Sequence, residues 1–380
     1  MLSFDQCVRV LTRIAARKTA PFYEARVADF VTAELNEAGI PWEFDEVGNI
    51  IARCVGASGR EGGPLVLVAH MDHPAFEILD KSGRSGRMLG NVRMECFDAP
   101  VDVLVYPALP ECAVGDERGV PGVITGAKRR EAGVYFRLDM RGKCPPLPAF
   151  GVWDFPDIEV RDRLAYMRAC DDVVSCAVML TVMREAKRRR IPCDIIGVFT
   201  RAEEVCFAGS MHVARKHAIP PDSVVVSLEV SKALPGAEIG GGPVIRTGDR
   251  LHTFADSAEC VLRQAAIEVK KARPEARVQR QLMSGGMCEA SIFTIEGYCT
   301  TAMALPLGNY HNVGPDMTLA PEFISPADMA VEIEVLLQAA QMCFAECRDI
   351  DRGLSLGGYE EGLRKLGANP IARGCIRSVR

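Results

Sequence analysis

The fold is indicated by a short apolar run that ends in a histidine, Leu65-Val66-Leu67-Val68-Ala69-His70. Three more apolar runs of strand length follow along the chain, namely Ile195-Ile196-Gly197-Val198-Phe199, Val224-Val225-Val226-Ser227-Leu228 and Thr301-Ala302-Met303-Ala304-Leu305. Continuous apolar runs of this length are typical of strands that are covered on both faces. They predict the centre of a largely parallel β-sheet.

Stretches with apolar residues at helical spacing precede these runs, lie between them and follow the last one. The stretches are residues 3–18, 25–38, 172–189, 208–217, 257–271 and 326–345. Because alternating strands and helices build layered sheets, the sequence predicts an α/β fold in which a mixed, largely parallel sheet is sandwiched by helices.

The stretch 77–163 differs, because it has short β-like runs between Gly and Pro turns and no long helix. It predicts a small β-rich, barrel-like domain inserted into the α/β domain. Residues 1–76 and 164–350 would then form one discontinuous α/β domain that carries the site. Residues 351–380 would form a C-terminal tail rich in glycine and basic residues.

Composition excludes several classes of protein. The 380 residues include 45 Lys and Arg against 50 Asp and Glu, which gives a formal charge of −5 and no basic footprint for nucleic acid or an anionic membrane. No apolar run approaches the roughly 20 residues of a membrane span, and the first residues lack a secretory signal pattern. The 15 cysteines show no C-x-x-C spacing and suit a reducing compartment. We therefore expect a cytoplasmic protein with neither a nucleic-acid nor a membrane partner.

Candidate metal ligands follow each of the four predicted strands. His70 comes directly after the first, Glu203 and Glu204 after the second, Glu229 after the third and His311 after the fourth. The carboxyl ends of parallel strands meet at the edge of the sheet where ligands bind. Histidines and carboxylates converging there predict a site for a divalent cation, usually zinc, with cobalt or manganese as alternatives.

Two further carboxylates, Asp171 and Asp172, stand at the start of the helix predicted at 172–189, where negative charge is favoured. Taken singly, such residues more often have structural roles, for example an aspartate that caps a helix. The joint occurrence of carboxylates and histidines at successive strand ends is what favours a metal site.

The residues around these positions form five motifs that carry a resemblance to a known family. The motifs are Ala69-His70-Met71-Asp72, Ala169-Cys170-Asp171-Asp172, Thr200-Arg201-Ala202-Glu203-Glu204-Val205, Leu228-Glu229-Val230 and Pro306 to His311. In this order and at these separations, they resemble the cytosolic dizinc aminopeptidases of the tetrahedral-aminopeptidase and glutamyl-aminopeptidase family. That family belongs to the zinc metallopeptidase clan shared with leucyl aminopeptidases and N-acyl amino acid deacylases.

The resemblance implies two divalent metal ions per chain. His70 and Glu229 would bind one ion, Glu204 and His311 would bind the other, and Asp171 would bridge both. In relatives the peptide bond after the bridging aspartate is cis, which implies a cis bond after Asp171.

The resemblance also implies catalytic roles for Glu203 and Asp72. Glu203 would be the general base, which takes a proton from a metal-activated water and later delivers it to the leaving amine. Asp72 would hydrogen-bond the imidazole of His70 and fix its tautomer. His73 has no role in this interpretation.

The sequence departs from the family pattern at several places, including His73, where relatives commonly have glutamate. Glu229 stands where the family usually has aspartate. The run before His311 lacks the family's arginine and has Tyr310 next to the histidine. The Gly-Gly-Thr-Asp-Ala motif near the family's substrate pocket is matched only loosely, by residues 285–290.

The resulting hypothesis is a dinuclear metallo-aminopeptidase, a homo-oligomeric exopeptidase that hydrolyses N-terminal residues from peptides. Two alternatives stay open. One is an N-acyl amino acid deacylase or carboxypeptidase-like amidohydrolase of the same clan, which would recognise a substrate carboxylate. The other is a non-catalytic binding protein on the same fold.

Overall fold

The computed structural model describes residues 1–56, 63–108, 119–131 and 133–342. The C-terminal tail predicted at 351–380 lies outside the described residues, as do the last residues of the helix predicted at 326–345. Within the described ranges, no helix combines the length and the apolar character that crossing a membrane requires.

The described ranges contain eight α-helices and seventeen strands. The helices are α1 (Phe4–Ala15), α2 (Ala25–Glu37), α3 (Val173–Arg188), α4 (Glu203–Cys206), α5 (Ala208–Arg215), α6 (Asp256–Ala272), α7 (Glu289–Ile295) and α8 (Pro326–Ala339). The strands are β1 (Trp42–Phe44), β2 (Ile50–Val55), β3 (Leu65–His70), β4 (Ala75–Ile78), β5 (Ser85–Leu89), β6 (Val101–Pro107), β7 (Val120–Arg130), β8 (Gly133–Met140), β9 (Ala149–Trp153), β10 (Ile158–Arg161), β11 (Leu164–Met167), β12 (Asp194–Thr200), β13 (Val224–Lys232), β14 (Val244–Gly248), β15 (Gln279–Leu282), β16 (Cys299–Leu307) and β17 (Glu322–Ile324). All six predicted helical stretches contain a helix, whereas the short helices α4 and α7 were not predicted.

The central sheet has eight strands in the order β1-β2-β12-β3-β13-β16-β14-β15. Its four inner strands β12, β3, β13 and β16 are the four predicted apolar runs, and each pairs in parallel with its neighbour. Antiparallel pairing occurs on both sides of this centre, between β2 and β12 and between β14 and β16. The sheet is therefore mixed with a parallel centre, as predicted.

Alternate residues of the inner strands pack against different helical layers. Leu65 and Leu67 of β3 belong to a large core with α1, α2, α3, α6 and α8. Val66 and Val68 belong to a smaller core with α5 and α7 on the opposite face. Because side chains alternate along a strand, a run that is apolar at every position needs cover on both faces. The predicted sandwich of helices is thus confirmed.

A closed six-stranded barrel, in the order β4-β5-β8-β7-β6-β9, is inserted between β3 and α3. It has its own aromatic core, with Phe76, Phe97, Phe136 and Trp153. The barrel strands run from Ala75 to Trp153, whereas strand β10 pairs with β11 in a separate three-stranded sheet with β17. We therefore propose that the inserted domain ends before β10, earlier than the boundary at residue 163 that the sequence predicts.

Candidate metal centre

The carboxyl edge of the central strands forms a solvent-open cleft of about 630 Å³. His70 is the last residue of β3, Glu203 and Glu204 open α4 directly after β12, Glu229 lies in β13, and His311 lies in a turn after β16. The cleft is lined by His70, Asp171, Glu203, Glu204, Glu229, Ser231, Lys232, Arg246, Tyr310 and His311, among others. The structure thus brings together every predicted ligand and the predicted base.

Asp171 lies between the two histidines. Its Oδ1 is 3.3 Å from Nε2 of His70, and its Oδ2 is 3.8 Å from Nε2 of His311. Nε2 of His311 is also 3.4 Å from Oε2 of Glu204. Ligand atoms of His70, Asp171 and Glu204 all lie within 4.8 Å of one another, and Glu229 lines the same cleft outside this group. This is the arrangement expected of a carboxylate shared by two cation positions.

The donor set fits divalent cations by its chemistry as well as by its geometry. Oδ1 of Asp171 and Oε1 of Glu204 are buried without a hydrogen-bond partner among the described residues. Buried carboxylate oxygens are costly unless they are paired or coordinate a cation. Carboxylates and imidazoles together are ligands that zinc, cobalt and manganese accept.

Both histidines present Nε2 to the cleft because Nδ1 is bound elsewhere. Nδ1 of His70 donates to the backbone oxygen of Asp72 at 3.2 Å, and Nδ1 of His311 donates to the backbone oxygen of Asn91 at 2.6 Å. Since a carbonyl oxygen only accepts, Nε2 of each neutral ring is left with its lone pair for a cation. Asn91 follows β5, so the barrel orients one of the two histidines.

The carboxylate of Asp72 has two further contacts beside the one with His70 that the sequence predicts. Its two oxygens accept hydrogen bonds from the backbone N–H groups of Glu203 and Glu204, at 3.0 and 3.1 Å. Its Oδ1 is 3.5 Å from Nδ1 of His70, farther than the backbone oxygen that this nitrogen contacts. We infer that Asp72 mainly holds the turn that presents the two glutamates.

That turn begins at Ala202, which has a positive φ of 55°. A positive φ is unfavourable for a residue with a Cβ and persists where the surroundings hold it. Here the buried carboxylate of Glu24 accepts a hydrogen bond from the backbone N–H of Ala202 at 3.1 Å. Glu24 and Asp72 together therefore fix the positions of Glu203 and Glu204.

A second buried carboxylate, Glu322 of β17, connects the loops of the other two ligands. It accepts hydrogen bonds from the backbone N–H groups of Cys170 at 2.7 Å, Asp171 at 3.1 Å and His311 at 2.8 Å. The sequence analysis did not identify Glu322, which stands eleven residues after His311 outside any motif.

His73 joins the same two loops. Its Nδ1 contacts the backbone oxygen of Asp171, and its Nε2 lies 2.9 Å from Oδ1 of Asn312. Asn312 in turn donates to the backbone oxygen of Arg168 at 2.9 Å. His73 is thus a buried positioning residue, although the sequence interpretation gave it no role.

The peptide bond between Asp171 and Asp172 is cis, as the resemblance implies.

The charges of the cluster shift the pKa values of its members. Burial raises the pKa of Glu203 well above its usual range, although His70 opposes this effect, and burial raises the pKa of Glu229 to about 8. Burial alone would lower the pKa of His311, but the charges of Glu204 and Asp171 raise it to about 9. Protons held by these groups would be released on metal binding.

We predict that Glu322→Gln weakens metal binding. The substitution replaces one carboxylate oxygen with an amide NH₂ group. This group cannot accept hydrogen bonds from the backbone N–H groups that it would face. Outer partners of this kind typically contribute about 10–100-fold to metal affinity. Calorimetric titration of metal-free protein with zinc measures the effect.

The matched control is Glu332→Gln in α8. Glu332 is a buried carboxyl group without a hydrogen-bond partner in the described part of the chain, and it does not line the cleft. Zinc affinity should be unchanged in this variant. Equal zinc affinity in wild type and Glu322→Gln would contradict the assigned role of Glu322.

Comparison with known proteins gives one family match and several matches of fold. A sequence model of the M42 glutamyl aminopeptidase family matches residues 149–315. A TET peptidase of Pyrococcus horikoshii has 18% identity and a TM-score of 0.69, covering 88% of this chain and 99% of its own. An aminopeptidase of the archaeon Desulfurococcus kamchatkensis has 19% identity and a TM-score of 0.70, with 91% and 98% covered. A Thermotoga maritima protein described as an endoglucanase has 17% identity and a TM-score of 0.62, with 90% and 98% covered.

The family match covers Asp171, both glutamates, Glu229 and His311, and the structural matches extend the shared fold over most of the chain. Residues 149–315 therefore match the model of the M42 glutamyl aminopeptidase family, and most of the chain shares its fold with the solved structures named above.

Proposed function

We propose that this protein is a dinuclear metallo-aminopeptidase that removes N-terminal residues from peptides. The observation that carries the proposal is the position of Asp171, whose two oxygens face two different histidines. His70 and Glu229 would hold one cation, His311 and Glu204 the other, and Asp171 would be shared. When bound, two divalent cations supply a water nucleophile at neutral pH and polarise the carbonyl of the scissile bond.

Glu203 is the carboxylate of the cleft that this assignment leaves without a metal. Its Oε2 lies 3.9 Å from Nε2 of His70, and its backbone is held by Asp72. A carboxyl group with a raised pKa can both accept and return a proton near neutral pH. Glu203 would take a proton from the attacking water and deliver it to the leaving nitrogen as the C–N bond breaks.

Arg246 supports a finer proposal about the substrate. This arginine lines the cleft and is only 3% exposed. Its Nη1 donates to Oγ of Ser231 at 3.1 Å, and its buried Nε has no hydrogen-bond partner among the described residues. A buried guanidinium with a free donor favours an anionic ligand. We propose that the substrates carry a carboxylate, such as the side chain of an N-terminal acidic residue.

The same observation favours a second candidate, an N-acyl amino acid deacylase, because such a substrate also offers a carboxylate near the scissile amide. A glycoside hydrolase is not favoured. Paired carboxylates are sufficient for that chemistry, and it would leave His70 and His311 without a role.

Likeness to the P. horikoshii protein, described as assembling into a tetrahedron or an octahedral shell, supports a homo-oligomer. We propose the same for this chain, in the cytoplasm, where its substrates would be peptides.

Metal removal should abolish hydrolysis. We expect a chelator to remove the activity on aminoacyl anilides, and zinc, cobalt or manganese to restore it, because the proposed hydrolysis depends on a metal-activated water. Elemental analysis of the reconstituted protein should find two ions per chain.

The substrate panel separates the candidates. It contains aminoacyl anilides, N-acyl amino acids and a soluble cellulose. Turnover of N-acyl amino acids alone would favour the deacylase, and cellulose hydrolysis would favour the glycosidase. Reconstituted protein that binds metal and turns over nothing would support the non-catalytic alternative.

A further inference from the structure

Tyr310 lies in the cleft, directly before His311, and the proposed aminopeptidase mechanism does not yet use it. Adjacent side chains in an extended chain point to opposite sides. Here Asn309 and His311 both have a positive φ of 54°, and the turned backbone brings two adjacent rings together. The ring of Tyr310 stacks on the imidazole of His311, with centroids 3.8 Å apart and planes 25° apart.

Tyr310 lines the same cleft as the carboxylates of Asp171, Glu203, Glu204 and Glu229. A phenol has an ordinary pKa of about 10 and keeps its proton at neutral pH. Its hydroxyl can therefore act as a hydrogen-bond donor. No described residue accepts a hydrogen bond from this hydroxyl.

Other side-chain donors of the cleft are differently placed. Arg246 and Ser231 are paired with each other, and the charge of Arg246 acts on Glu229. Lys232 is exposed. Tyr310 is the donor that stacks on His311, the ring next to Glu204.

We propose that Tyr310 is a catalytic residue whose hydroxyl donates a hydrogen bond to the oxygen of the scissile carbonyl as this oxygen becomes negative. The inference rests on the proposed amide hydrolysis. Water oxygen bonds to the carbonyl carbon, the π electron pair moves to the carbonyl oxygen, and Glu203 takes the proton. When the C–N bond breaks, the carbonyl re-forms and Glu203 protonates the nitrogen. Tyr310 keeps its own proton throughout.

Such a donor contributes because its hydrogen bond is stronger to the charged oxygen than to the neutral carbonyl. It stabilises the tetrahedral intermediate more than the bound substrate. Removing it should therefore lower kcat and leave KM nearly unchanged.

The test is Tyr310→Phe, which keeps the ring that stacks on His311 and removes only the hydroxyl. We expect kcat to fall by about 10²-fold with KM within about threefold of wild type and an unchanged metal content. Calorimetry with a phosphinic pseudodipeptide, whose tetrahedral centre mimics the intermediate, should show an affinity loss similar to the loss in kcat. Affinity for the product amino acid should not change.

The matched control is Tyr298→Phe. Tyr298 is a buried tyrosine on the other face of the sheet, whose hydroxyl donates to the backbone oxygen of Ile219 at 3.2 Å. This variant should keep the wild-type kcat and phosphinate affinity.

Three outcomes with the Tyr310→Phe variant would overturn the inference. Tyr310→Phe could keep the wild-type kcat, or lose kcat without losing phosphinate affinity, and either result would exclude a role at the charged oxygen. Metal loss in the variant would show that Tyr310 only supports His311. If the wild-type protein hydrolyses no substrate of the panel, the proposed function fails together with this inference. If the wild-type protein is active and only the expected effects of Tyr310→Phe are missing, the inference about Tyr310 fails alone.

Discussion

Replacing Glu203 with glutamine is expected to lower kcat by about 10²–10⁴-fold, the usual contribution of a positioned general base, while both metal ions stay bound. The amide keeps the size and reach of the carboxylate but cannot take a proton from the attacking water. The fold should not suffer, because the hydrogen bond between Asp72 and this residue uses the backbone N–H of Glu203. Steady-state kinetics measures kcat, elemental analysis measures the metal content, and a thermal melt measures the stability of the fold.

The neighbouring residue provides the matched control. The backbone N–H of Glu204 also donates a hydrogen bond to Asp72, but the carboxylate of Glu204 lies 3.4 Å from Nε2 of His311. Because a neutral amide is a poorer ligand than a carboxylate, Glu204→Gln should lose metal from the His311 side. Activity would then fall together with metal content and recover in part when metal is added in excess.

These two variants should thus give opposite results in elemental analysis. Near-wild-type turnover in Glu203→Gln would contradict its role as general base. Metal loss in Glu203→Gln with full metal content in Glu204→Gln would show that the two roles are reversed.

The positions of the candidate ligands at one edge of the sheet could be predicted from the sequence, because their signal combines two simple patterns. An apolar run such as residues 65–69 must be covered on both faces, which predicts an inner parallel strand. A polar residue directly after such a run then lies at the carboxyl edge of the sheet. His70 and Glu229 are located by this rule alone, and Asp171 needed the motif as well.

The positioning residues could not be predicted in the same way. Glu322 lies on a three-residue strand, too short to show a period, and its partners are backbone N–H groups of two distant loops. Asp72 has the predicted location, but its contact depends on the positive φ of Ala202, which no sequence pattern indicates. The sequence also could not indicate whether β10 pairs inside the barrel or outside it, because a strand shows the same alternation in both cases.

Replacing Arg246 with methionine is expected to remove the preference for substrates that carry a carboxylate. The cleft has four carboxylates, those of Asp171, Glu203, Glu204 and Glu229. Their four negative charges would be balanced by the four positive charges of two divalent cations. Arg246 would then remain as a buried positive charge that lines the cleft and whose Nε has no hydrogen-bond partner among the described residues.

The other carboxylate near Arg246, that of Asp249, does not accept a hydrogen bond from Nε of Arg246. Asp249 acts on it electrostatically, but the oxygens of Asp249 accept hydrogen bonds from the backbone N–H groups of Leu251, His252 and Cys288 and from the hydroxyl of Ser291. A substrate carboxylate is therefore the partner that would satisfy the guanidinium.

A hydrogen bond to a charged group contributes about 1.5–3 kcal/mol, which corresponds to about 10–100-fold in kcat/KM. We expect Arg246→Met to lose this factor on glutamyl and aspartyl anilides, or on N-acyl amino acids if those are the substrates. Leucyl anilide should be hydrolysed at nearly the wild-type rate. Arg246→Lys should recover only part of the loss, because a lysine keeps the charge but not the planar fork of donors.

The control is Lys232→Met, which removes a positive charge from the exposed part of the same cleft. Exposed charges are screened by salt, so this variant should change the preference little and only at low ionic strength. Metal content is measured in every variant, because Arg246 acts on the ligand Glu229. An equal loss on acidic and neutral substrates at full metal content would show that Arg246 supports the centre without selecting the substrate, and the carboxylate-bearing substrate class would have to be abandoned.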